Sequence, residues 1–184
     1  MISEVRSRGA GGAADEFIEL YNPTGAPVTL DANWKIEARS NSSTSYSGRW
    51  TGTGKVIPAH GHFLIVGGTY AQTPAGDETL STGITDATSL RLVNNTVTID
   101  AVCYAFDAAT QMPFVTDATY SCEGMPASNL PHDNTNSTAS TADASIERKP
   151  GGAGGNCTDT GDNASDFANQ MPATPMSSLS PPTP

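Results

Sequence analysis

Glycine and proline interrupt this chain from end to end, 18 of one and 13 of the other in 184 residues. Glycine is too free in its backbone for a helix interior, and proline lacks the N–H, so long helices have little room. The stretches left between them are short, and they alternate. Asp15–Asn22 (DEFIELYN) sets Glu16, Ile18 and Leu20 against Phe17, Glu19 and Tyr21, the period of two that puts successive side chains on opposite faces of a strand. Ile2–Val5, Val28–Leu30, Trp34–Ala38, Tyr46–Thr51, Val56–Ile57, Phe63–Val66, Ser89–Val93 and Thr96–Cys103 read as strands too, with Ala144–Lys149 as the last edge strand. Turn chemistry separates them. Pro23 presets φ in Asn22–Gly25, Pro58–Gly61 turns again, and paired Asn94 and Asn95 tolerate a left-handed hairpin turn. About eight to nine short strands so spaced predict an all-β sandwich or barrel. Trp34, Ile36 and Ala38 share its inward face, against Leu90, Leu92 and Phe63.

A chain of this length fits one domain. Residues 1–170 are assigned to the sandwich, with a long irregular insertion at 104–143 and a second irregular loop at 67–85. Residues 171–184 hold five prolines and no aromatic residue, and read as a linker or an extended end. The formal charge of −10, from 19 acidic and 9 basic residues, repels nucleic-acid phosphates and anionic lipid surfaces. No Lys/Arg-rich run offsets it, and no apolar run approaches the ~20 residues of a membrane span. Nucleic acid and direct membrane insertion are therefore excluded as partners, whereas divalent cations and basic proteins stay compatible.

The order of the segments carries a resemblance. Ile2-Ser-Glu-Val5 is followed by Glu16-Phe-Ile-Glu-Leu-Tyr-Asn-Pro23, Trp34-Lys-Ile36, Val56-Ile-Pro-Ala-His-Gly61 and Phe63-Leu-Ile-Val66. Asp86–Val93, Val97–Asp100, Ser145–Arg148 and Asp159–Phe167 complete the series. Over roughly residues 2–175 the chain resembles the lamin-tail domain as it occurs in secreted and surface proteins of bacteria. The resemblance implies an immunoglobulin-like β-sandwich and no catalytic residues, since that family has no established active site. It also implies neighbours: the bacterial domains often sit beside extracellular nuclease, phosphatase or adhesion modules. The related domain of nuclear lamins engages chromatin and protein partners, a role the acidic balance here argues against. The insertion at 104–143 is longer than the compact lamin version has.

Three cysteines cannot all pair within the chain. Cys103 lies in the apolar run Ile99–Tyr104, where a buried thiol behaves as a small hydrophobe. Cys122 and Cys157 lie in polar segments without a core of their own, so a disulfide between them is expected, with three free thiols as the alternative. Zinc lacks a Cys-x-x-Cys spacing. Asp159, Asp162, Asn163 and Asp166 offer hard oxygen ligands for calcium but miss the helix-loop-helix pattern. The expectation there is a run of Asx turns with Phe167 in the core, and calcium as the alternative. Glu4, Asp15, Glu16 and Glu19 converge if the first two strands pair, as a solvated face partnered by Arg6 or Arg148, or as a metal site. His60 and His62 would face one side of a strand but have no third ligand near, and His132 is alone.

No frame for a nucleophile such as Gly-x-Ser-x-Gly is present. The chain is thus expected to be a non-enzymatic extracellular or cell-surface binding and structural module without a cofactor. Its partner would be a protein or cell-surface ligand, reached through loop aromatics Tyr70, Phe106, Phe114 and Tyr120. The alternatives are an accessory domain of a secreted hydrolase (nuclease or phosphatase) and a calcium-dependent adhesion domain. An enzyme in its own right is the weakest. A secretory leader ahead of Met1 is expected to have been removed.

Overall fold

The alternating segments become strands with small shifts of boundary in the computed structural model, which describes residues 1–184. They are β1 (Ile2–Arg6), β2 (Phe17–Tyr21), β3 (Val28–Leu30), β4 (Trp34–Ser40), β5 (Ser47–Thr51), β6 (Lys55–Ile57) and β7 (His62–Val66). Then come β8 (Glu78–Thr79), β9 (Thr88–Asn94), β10 (Val97–Ala105), helix α1 (Ala108–Thr116), β11 (Ala127–Ser128), β12 (Ser145–Arg148), helix α2 (Asn163–Asp166) and β13 (Phe167–Gln170). One sheet runs β13-β12-β1-β2-β7-β8, the other β11-β10-β9-β4-β5, and β3 pairs with β6 in a small ribbon. This is an immunoglobulin-like β-sandwich, the class that the sequence predicts.

Alternation explains the core. Ile18, Leu20, Phe63, Ile65, Ile146 and Phe167 from the first sheet meet Ile36, Ala38, Leu90, Leu92, Val102 and Tyr104 from the second. A register shift between Ile2 and Glu4, where β1 pairs with β2, lets both Ile2 and Val5 point inward despite their odd spacing. All five residues of β1, β2 and β7 are buried, so the outer face of that sheet is covered as well. Tyr70 covers Phe17, and residues 173–184 cover the neighbouring part, where their Thr174, Met176 and Ser178 N–H groups bond carboxylates.

Three expectations are corrected. β12 is not an edge, because β13 adds outside it. Trp34 is only half-buried, since it sits opposite Asn94 at the end of the β4–β9 ladder. Trp50 is the tryptophan of the core, and its indole N–H donates to Glu78 at 3.1 Å. The insertion is not wholly irregular either, because α1 opens it. Asp107 caps that helix by accepting from the Thr110 N–H at 2.7 Å, while the Thr110 hydroxyl accepts from the Asp107 N–H at 3.2 Å. Threonine stands where a capping box usually has Glu or Gln, and Pro113 lies inside the helix, so the customary signals are missing.

Candidate functional site

β10 carries Cys103 to the base of the insertion, and the segment after α1 returns over it. The Ser121 N–H donates to the Tyr46 hydroxyl at 2.6 Å, and its carbonyl accepts from the Ser89 hydroxyl at 3.2 Å. That holds Cys122 over Cys103, and the two form a disulfide with Cα atoms 5.3 Å apart. The expected Cys122–Cys157 bond is thereby overturned. Cys157 is a free, exposed thiol, because Thr158 N–H donates to Lys149 O (3.0 Å) and keeps its segment beside the end of β12.

The insertion also has its own small core of Ala87, Cys103, Ala105, Phe114 and Tyr120. Phe114 and Tyr120 meet edge to face at 4.9 Å, and the Arg39 guanidinium lies 3.6 Å over the Tyr120 ring. Both aromatics are buried against their own chain, which corrects their reading as exposed anchors. Tyr70 is half-buried beside Phe17 with its hydroxyl bonded to Pro74 O at 3.0 Å; burial pushes that phenol up to about 12. Phe106 is half-buried in the wall of a shallow cavity of about 220 Å³ shared with Asp107, Gln111, Pro126 and Ser128. The large apolar side chains that α1 leaves in solvent are Met112 (56% exposed) and Val115 (49%), three residues apart. The sequence does not signal them, because α1 lacks the customary start of a helix.

A second feature lies beside Arg148, whose guanidinium is fully buried. It bonds both Asp100 oxygens (2.9 and 3.2 Å), donates to Ile2 O and Thr158 O (3.0 Å each), and lies 4.7 Å over the Phe167 ring. Asp159 and Asp166 each place an oxygen 3.9 Å from the same group. With Glu123 they form a trio whose ligand oxygens all lie within 4.8 Å of one another. Burial, then Asp100 and Asp159, pushes Glu123 up to about 7. Such a trio has the ligand type of a hard cation, although Arg148 already supplies one positive charge to it. Asp162 and Asn163 do not join it. Asp162 accepts from Met125 N–H (2.7 Å) and the Ser165 hydroxyl (2.6 Å), and these bonds hold its carboxyl below the usual range. Asn163 is buried, accepting from Cys103 N–H at 2.8 Å and donating to Ala101 O at 3.0 Å. Two of the four sequence candidates are thus gathered, with a glutamate that only the fold brings near.

The Lamin Tail Domain family matches residues 1–106. The chain belongs to the lamin tail domain family. Domains of this family are immunoglobulin-like and generally non-enzymatic modules. The matched residues take in β1 to β10 and end where the insertion begins, so the disulfide partner Cys122, α1, β11 to β13 and residues 171–184 all lie beyond them. No curated protein matches the chain.

The remaining polar candidates of this lamin tail domain serve its fold. Asp15 bonds the buried Arg6 guanidinium, and Glu16 accepts from Ile84 N–H at 2.7 Å, with burial pushing its carboxyl up to about 7. Glu4 and Glu19 face outward from β1 and β2 but are buried, not solvated, and Arg148 is partnered by Asp100 instead. The four acids therefore do not gather in one cluster. His62 is buried with Nδ1 2.8 Å from Glu19, while His60 sits in the turn at φ 55°, and neither joins the carboxylate trio. His132 is buried between the Ser140 and Ala144 carbonyls at 2.7 and 2.8 Å. None of the three histidines has a serine or cysteine nucleophile as a hydrogen-bond partner.

Proposed function

We propose that this lamin tail domain is a non-enzymatic extracellular or cell-surface module, of the bacterial secreted type, that binds a protein or surface ligand through its insertion. The observation that carries the reading is the Cys103–Cys122 disulfide at the root of the insertion. Disulfides persist in oxidising compartments and are rare where cellular thiols stay reduced. The bond makes a rigid base for α1, with Met112, Val115 and the Phe106 cavity on its solvent side. A partner there would bury apolar side chains, and the net charge of −10 favours one with a basic rim. The test is peptide mass spectrometry, without reduction, of the protein recovered from its native host. A linked Cys103–Cys122 peptide in the external fraction is expected. Protein found inside cells with both thiols free would overturn the reading.

A calcium-dependent adhesion domain is the second reading, favoured by the Glu123–Asp159–Asp166 trio. A site binding only the folded state would add about 2.7 kcal/mol at a hundredfold excess of ion over its Kd. For a domain this size that is a melting shift of roughly 5–10 °C. With Arg148 already against two of the carboxylates, millimolar Ca²⁺ should shift the melt by less than about two degrees beyond an NaCl control of equal ionic strength. A larger shift that Asp166→Asn abolishes would put the calcium reading first.

A further inference from the structure

Glu147 of β12, Glu4 of β1 and Glu19 of β2 stand side by side, because Glu4 lies opposite Glu147 on one flank and Glu19 on the other. His62 of β7 continues the row, and all four are buried. Residues 173–184 cross the row, extended from Ala173 to Ser177 and turning at Ser178–Ser180, while Gly152 and Asn156 also close over Glu147. Between Thr174 and Ser178 every second N–H meets a carboxylate: Thr174 to Glu4 at 3.0 Å, Met176 to Glu19 at 2.5 Å, and Ser178 to Asp77 at 2.9 Å. The Thr174, Ser178 and Thr183 hydroxyls add bonds to Glu147, Asp77 and His62. Farther on, the Tyr21 hydroxyl donates to the Pro184 carbonyl at 2.5 Å.

Apolar side chains contribute unevenly: Ala173 packs near Phe17, Leu64 and Val66, Pro175 is buried and Met176 half-buried, whereas Leu179 is 93% exposed. The face recognises the backbone N–H groups of an extended stretch together with its hydroxyls. It is also not fully satisfied, since Glu4 Oε2 is buried without any hydrogen-bond partner. Met171 and Pro172, which connect the segment to β13, are exposed and make no side-chain hydrogen bonds to the body.

We propose that this row of carboxylates is a docking groove for an extended peptide, filled in cis by residues 173–184 and in trans by the same segment of a second copy. The second copy is the partner whose complementarity the structure displays. Each of the bonds named above runs between the segment and the sandwich, so another chain's segment makes the same set once the exposed connection swings outward. The cis segment wins in dilute solution by effective concentration, and exchange grows as the protein is concentrated. This surface is separate from the insertion.

Hydrogen exchange on the intact chain tests whether the segment detaches by itself. The Thr174, Met176 and Ser178 amides should exchange together, slower than unprotected amides and faster than those of β1 and β2. Exchange at the unprotected rate, or only together with β1 and β2, would overturn the proposal. A fluorescent peptide of residues 171–184 should bind the intact chain saturably. Methylating its Met176 and Ser178 amide nitrogens should weaken binding at least about tenfold, as expected when charge-assisted bonds are lost. No binding, or equal binding by the methylated peptide, would contradict backbone recognition. In sedimentation equilibrium the intact chain should form dimers as concentration rises toward about 1 mM, the scale of effective concentration for a short connection. Met176→Ala, which keeps the N–H, should dimerise like the parent, whereas Met176→Pro should not. A monomer throughout would refute the exchange, and if the proline variant fails to fold, the methylated peptide decides.

Discussion

Two guanidiniums with no exposed side-chain surface, Arg6 and Arg148, show how the few basic residues are used. A buried charge is tolerable only when paired and hydrogen-bonded, and Arg148 meets both demands through Asp100 and two carbonyls. Arg148→Met would leave Asp100 uncompensated, so it should cost about 3–5 kcal/mol by urea denaturation. An unchanged midpoint would mean that the pair contributes nothing. The tryptophans give a second contrast. Trp50→Ala should cost about 3–5 kcal/mol, the range for a large buried aromatic, and Trp34→Ala clearly less. Equal losses would contradict the facing of β4 and β5. The alternating WKIEA run advertised Trp34, whereas Trp50 is flanked by Arg49 and Thr51 on a strand at the sheet edge, where the surrounding sequence is polar.

Elements that pair through alternating apolar residues were legible. β1 to β7, β9, β10 and β12 lie within a few residues of their expected bounds because burial of one face enforces the period of two. Elements held by tertiary partners were not. β8 and β11 are two-residue parallel additions, β13 carries one core residue in four, and α1 starts from an atypical capping box. The same limit hid the disulfide, since nearness of Cys103 to Cys122 depends on how the insertion folds back. The two stand 19 positions apart, and the chain-entropy model gives about 3 kcal/mol for such a loop. Cys122→Ser should lower stability by that order in urea, and α1 should lose exchange protection first. One thiol per folded chain, Cys157, should react with a disulfide reagent; two or none would contradict the pairing.

Across the whole molecule the acidic groups divide by environment, and this sets how stability depends on pH. Asp107, Asp117 and Asp162 are held below the ordinary 3.8 by local hydrogen bonds, so they contribute stability that is lost as pH falls through that range. Glu4, Glu16 and Glu123 behave oppositely. Burial raises all three above the ordinary 4.5, Glu16 and Glu123 to about 7 and Glu4 well above its usual range, with Glu19 adding to the last. The folded chain therefore keeps protons that the unfolded chain releases, and stability falls as pH rises from about 4.5 through the folded values. The melting temperature should peak on the acid side of neutrality and decline toward pH 8, at constant ionic strength. Glu4→Gln separates the outer face from the other two groups. Its carbonyl can still accept from Ser145 and Thr174, while its NH2 would stand uncharged beside Glu19 and Glu147. The variant should melt higher than the parent at pH 8 and match it near pH 4.5, where Glu4 is already protonated. A parent whose melting temperature climbs steadily to pH 8, or a Glu4→Gln variant weaker there, would show that the row is held by ionised Glu4 instead.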